Sequence, residues 1–185
     1  MNTATKEAVG LMRSPALKAF ELDKEDPKTL VRYGDNPFGR GALLARKLVE
    51  TGVRFVQVNR GGFDTHSNNF PAMQNHGDVM DSALASLIED LAASGKLAST
   101  MVIMLSEFGR TPRITVRPGT QTKVDQPGRD HWPRAMSLLV SGGGMRTGQV
   151  IGATNAKGEE PVERAMTPND LWATVYEHLG VDYTH

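Results

Sequence analysis

The sequence predicts an α/β fold in which a mostly parallel sheet is flanked by helices. Three observations predict it. Apolar residues recur at helical spacing over 39–50 and again over 77–94. A continuous apolar run, Thr100-Met-Val-Ile-Met-Leu105, follows the second of these. Such a run suits a strand covered by helices on both faces. Helix and strand signals then alternate along the chain, the pattern of βαβ units.

The elements follow in order. Residues 1–38 are polar and broken by Pro15, Pro27 and Pro37. Short helices are expected at 6–12, 15–20 and 27–32, forming a helical segment ahead of an α/β domain over 39–185. Ala42, Leu43, Leu48 and Val49 lie near helical spacing, and Gly52 stops that helix. Residues 54–59 read as a strand, followed by a glycine-containing loop over 60–66. Val79, Met80, Ala83, Leu84, Leu87, Ile88 and Leu91 mark one face of a long helix that Gly95 ends. Strands are then expected at 100–105, 135–140 and 148–152. Thr167 caps a last helix with Pro168 in its first turn, Asp170 completes a capping-box pattern, and Gly180 stops it. The stretch 107–134 is too long for a plain connector, and loops of that length in compact domains usually carry function or disorder.

Bulk properties narrow the function. The chain has 185 residues, enough for one ordinary domain. Lys plus Arg equals Asp plus Glu at 21 each, without the basic excess of a nucleic-acid binder. The absence of cysteine excludes disulfides and thiolate metal sites. No apolar run approaches the roughly 20 residues of a membrane span. The opening MNTATKEAVG has no apolar signal region, so the chain as it stands is expected in the cytoplasm.

The residues suited to chemistry fall into three clusters: Gly61-Gly-Phe-Asp-Thr-His66, Ser106-Glu-Phe-Gly-Arg-Thr-Pro112 and Gly128-Arg-Asp-His-Trp-Pro133. The first two follow expected strands, and open α/β sheets bind ligands beyond the carboxyl ends of their strands. Together they offer Asp64, His66, Glu107, Asp130 and His131 as metal ligands. Carboxylates and imidazoles without cysteine suit zinc, manganese, magnesium or calcium. Arg110 and Arg129 are candidates to bind an oxyanion through the planar guanidinium. An Asp-x-His pair alone is weak evidence, and Glu107 can simply neutralise Arg110. The glycine-rich Gly142-Gly-Gly-Met-Arg-Thr-Gly148 lacks the Gly-Lys-Ser/Thr ending of a phosphate-binding loop and reads as a turn.

These clusters carry a resemblance. Together with Tyr33-Gly34, Gly39-Arg-Gly-Ala-Leu-Leu-Ala-Arg46, Gly52-Val-Arg-Phe-Val56, Gly148-Gln-Val-Ile-Gly-Ala153, Thr167-Pro-Asn-Asp-Leu171 and Leu179-Gly180, they resemble the DUF1501 family in order from about residue 20 onward. The resemblance implies an alkaline-phosphatase-like and sulfatase-like fold, of which this chain is the C-terminal half. Asp64 and His66 then match a first ligand pair and His131 a later lone ligand. Glu107 stands where an Asp-His pair is usual, with Phe108 unable to ligate. The usual nucleophile belongs to the missing half, and Ser106 and Thr111 are the hydroxyls closest to the site in sequence. An incomplete sheet implies exposed apolar surface and association of copies, and longer relatives are often exported. The expected function is metal-dependent hydrolysis of a small-molecule phosphate or sulfate ester. The alternative is a non-catalytic binding or assembly module that retains the fold.

Overall fold

The computed structural model describes residues 3–118 and 123–184. It divides into two compact units. One comprises Met1–Gly61 with Asn75–Lys96, and the other Gly62–Gln74 with Leu97–His185.

The first unit is helical. Its helices are α1 (Thr3–Met12), α2 (Pro27–Tyr33), α3 (Pro37–Glu50) and most of α4 (Asn69–Ala93), with 3-10 turns at Pro15–Phe20 and Leu22–Lys24. Each proline in the 1–38 stretch opens a helical element behind a capping side chain. Ser14 accepts from the Ala16 N–H, Asp26 from Lys28, and Asn36 from Phe38 and Gly39. Proline suits this position because the first helical N–H groups have no partner within the helix. Tyr33, Ala42, Leu43, Ala83, Leu87 and Leu91 form the core. The α2–α3 corner requires glycine: a Cβ at Gly39 would overlap the carbonyl oxygens of Tyr33 and Gly34.

Among its described residues the second unit holds four two-stranded antiparallel sheets. β1 (Met101–Met104) pairs with β6 (Leu139–Gly142), β2 (Gly109–Arg110) with β5 (His131–Trp132), and β3 (Thr115–Pro118) with β4 (Asp125–Gly128). These three pairs are nested in sequence, each inside the last. β7 (Ala153–Thr154) pairs with β8 (Pro161–Glu163). The closing helix α5 (Pro168–Leu179) has the expected Thr167 cap, the reciprocal Asp170 bond and a left-handed Gly180 at φ 70°.

The mostly parallel, alkaline-phosphatase-like or sulfatase-like sheet is therefore overturned: every ladder among the described residues is antiparallel. Parallel pairing needs a crossover that returns the chain to the same end of the sheet, usually through a helix. Among the described residues no helix lies between β1 and β6. The stretch read as one long loop instead doubles back through short strands, which only antiparallel pairing permits.

Two of the expected strands do not form ladders. Residues 54–59 run without assigned strand structure, with Phe55 62% exposed, and Val58 lies against Gly41 of α3. Residues 148–152 also lack a ladder, and pairing starts only at Ala153. The expected strand at 135–140 is displaced to Leu139–Gly142. The apolar run at β1 is partly exposed along its length rather than covered on both faces. No helix among the described residues is long and apolar enough to cross a membrane.

Candidate metal centre

The site lies within the second unit and is assembled from the loop before α4 and the nested strands. The loop contributes Asp64 and His66. Its backbone is tied to the β4–β5 connection, where the Arg129 N–H donates to the Thr65 carbonyl at 3.4 Å. The Thr65 hydroxyl is buried and lies 2.7 Å from Asn69 Oδ1 at the start of α4. Pairing of β2 with β5 sets Arg110 opposite His131.

Gly128 has a steric role at this junction. A Cβ there would overlap the carbonyl of His66, and one at Gly109 would overlap that of Ala135. Backbone atoms cannot give way as a flexible side-chain tip can. Gly128→Ala is therefore expected to destabilise the unit by about 1–3 kcal/mol, the usual range for overpacking. Thermal unfolding with a zinc titration would check this. An unchanged midpoint and affinity would mean that the strand shifts freely.

Three potential ligand atoms converge. Oδ1 of Asp64 lies 2.9 Å from Nε2 of His66 and 2.8 Å from Nε2 of His131. The ligand atoms of this trio all lie within 4.8 Å of one another, so the cluster could chelate a metal ion. The site is open to solvent: the Asp64 side chain is 71% exposed, His131 is exposed too, and His66 is half-buried. Phe108, which cannot ligate, packs its ring against His131 with centroids 4.5 Å apart, and His66 lies 4.8 Å from the other imidazole.

The surrounding charges keep the carboxylates ionised. Hydrogen bonding from His131, then from Arg110, holds the Asp64 carboxyl below its ordinary range. Asp130 is held low mainly by its bond to His66, whose Nδ1 is 2.6 Å away, with the charge of Arg117 adding to it. An ionised carboxylate offers acceptors only, as a cation ligand or an imidazole partner must.

The remaining expected site residues are placed differently. Glu107 is exposed and lies outside the trio of converging ligand atoms. The Arg110 guanidinium donates to the carbonyls of Phe63 and Arg129 and to Asp64. Arg129 donates through Nε to the Thr111 carbonyl and through Nη2 to that of Arg110. Both arginines thus hold the site's loops together. Sequence reasoning missed Arg117 and Thr115, which both bond to Asp130. No motif marks them, since the alternation of β3 is too short to read. The steric role of Gly128 was legible only as a glycine directly preceding the Arg-Asp-His cluster.

The family described as "Protein of unknown function (DUF1501)" matches residues 1–185. The chain belongs to the DUF1501 family. No curated protein and no solved structure matches it. Family membership and the antiparallel architecture stand together, so the chemistry of this DUF1501 chain has to be argued from its site.

Proposed function

We propose that this DUF1501 chain is a metal-dependent hydrolase acting on phosphate or sulfate esters, with Asp64, His66 and His131 as its metal ligands. The observation that carries this reading is the convergence of two imidazole nitrogens and one carboxylate oxygen on a solvent-open face. Three protein ligands with an open position are typical of catalytic rather than structural zinc sites. Two imidazoles also favour zinc or manganese over magnesium and calcium, which prefer all-oxygen shells. A bound divalent ion would polarise an ester oxygen and acidify a bound water.

The chain's own residues fit attack by water better than covalent catalysis. Ser106 donates its hydroxyl to the Phe108 carbonyl and Thr111 to that of Arg113. Among the described residues neither has a side-chain base to activate it, as a nucleophile needs. Arg110 bonds to Asp64, and Arg117 to the Asp130 that meets His66; positive charge beside the trio favours an anionic substrate.

The test is zinc binding by the purified chain, followed by turnover of aryl phosphate and aryl sulfate esters with and without chelator. Stoichiometric zinc with slow, chelator-sensitive hydrolysis is expected. Zinc bound tightly with no turnover of either ester would favour a non-catalytic metal-binding module. Turnover that persists in chelator would refute the site.

A further inference from the structure

We infer that Asp130 is the positioning residue that decides which nitrogen of His66 faces the metal, and that Arg117 and Thr115 of β3 aim it. This rests on the metal-centre reading above. Asp130 is fixed at both its backbone and its side chain. Its N–H donates to the Thr111 hydroxyl at 3.0 Å, and its carbonyl accepts from the Thr111 N–H at 2.9 Å. Arg117 Nη2 donates to the two carboxylate oxygens at 3.0 and 3.2 Å, and the Thr115 hydroxyl to Oδ2 at 3.3 Å. Oδ1 meets Nδ1 of His66 at 2.6 Å.

A carboxylate can only accept, so this contact retains a proton on Nδ1 of His66. Neutral imidazole carries one N–H, and Nε2 is then left with its lone pair. Nε2 lies 2.9 Å from Oδ1 of Asp64. Two electron-rich atoms at that distance repel unless a cation lies between them. Asp64 competes poorly for the His66 proton because it already faces His131 at 2.8 Å and Arg110 at 3.2 Å. Outer carboxylates of this kind fix the tautomer and ring orientation of metal-binding histidines. His131 is steadied differently, by ring packing on Phe108.

The experiment is a long-range proton–nitrogen NMR correlation on the metal-free full chain, at a pH where the imidazoles are neutral. Wild type is expected to carry the His66 proton on Nδ1, and Asp130→Ala to move it to Nε2. Zinc affinity, measured by competition with a chromophoric chelator, should fall about 10–100-fold in Asp130→Ala. Arg117→Gln should produce a smaller loss in the same direction, and Arg117→Lys should restore most of it. If alanine unfolds the chain, Asp130→Asn keeps the volume and serves instead. A wild-type His66 protonated on Nε2, or unchanged tautomer and affinity in the Asp130 variants, would overturn the assignment. Wild type that carries the Nδ1 proton but binds no zinc would sink the metal reading while leaving the positioning of His66 intact.

Discussion

His131→Ala is expected to reduce zinc affinity by more than the roughly 10–100-fold typical of losing an outer-shell partner. Among the described residues His131 supplies one of three converging ligand atoms, and its removal leaves two donors on an exposed face. His66→Ala should have a comparable effect, because it likewise removes one of the trio's ligand atoms. Glu107→Gln should leave affinity unchanged, since Glu107 is exposed and lies outside the trio. Titration calorimetry on these variants separates ligand loss from general damage. Bound zinc would also stabilise the fold by mass action, by about 2.7 kcal/mol at a free concentration 100 times its dissociation constant. A chelator should therefore lower the unfolding midpoint of wild type but not of His131→Ala. Equal zinc affinity in His131→Ala and wild type would remove the basis for a metal centre here.

The helices were legible in the sequence because their signals are local. Thr167, Pro168, Asp170 and Gly180 each act within one turn of α5, so the residues alone specify its start and stop. The same holds for Pro27 behind Asp26 and Pro37 behind Asn36. Strand pairing is a non-local property, and there the reading failed. The run at β1 has the composition of a covered parallel strand, but its partner is decided by the chain excursion between β1 and β6. Among its described residues that excursion contains no helix to make a crossover. Asp64, His66, Asp130, His131 and Arg110 lie together in space although the expected sheet does not form. They were singled out by residue type and clustering, and nested antiparallel pairing brings distant clusters together as well as a parallel edge would. Glu107 follows the apolar run at β1, and in the structure it is exposed and lies outside the trio.

Asp90→Ala is expected to destabilise the helical unit by about 2 kcal/mol, below the roughly 3–5 kcal/mol of a fully buried charge pair because the network is partly exposed. Asp90 on α4 has only 16% of its side chain exposed and binds three donors from other elements. Arg46 of α3 reaches Oδ2 at 2.7 Å, the Tyr33 hydroxyl donates to it at 2.8 Å, and Arg32 of α2 binds Oδ1. Alanine would leave the fully buried Tyr33 hydroxyl with only its 3.3 Å bond to the Ser86 carbonyl. It would also leave Arg46 short of partners; its buried Nε already lacks a hydrogen bond, with Glu50 3.6 Å away. The pH dependence follows from the same contacts. Burial raises the Asp90 carboxyl, but the bonds from Arg32, Tyr33 and Arg46 outweigh it and hold the group below its ordinary value. The stability this contributes is present above the unfolded carboxyl value of about 3.9 and is lost as pH falls through the lower folded value. Tyr33 works in the opposite sense. Burial first, then its bond to Asp90, pushes the phenol up. Its contribution is complete below the unfolded value of about 10 and is lost as pH rises through the folded value. Urea unfolding across pH should therefore show both an acid and an alkaline decline in wild type. In Asp90→Ala the Asp90 share of the acid decline should vanish, and the alkaline one should narrow but persist because burial of Tyr33 remains. An acid decline identical in the two proteins would show that other carboxylates carry the acid sensitivity and that Asp90 is not the hub of this unit.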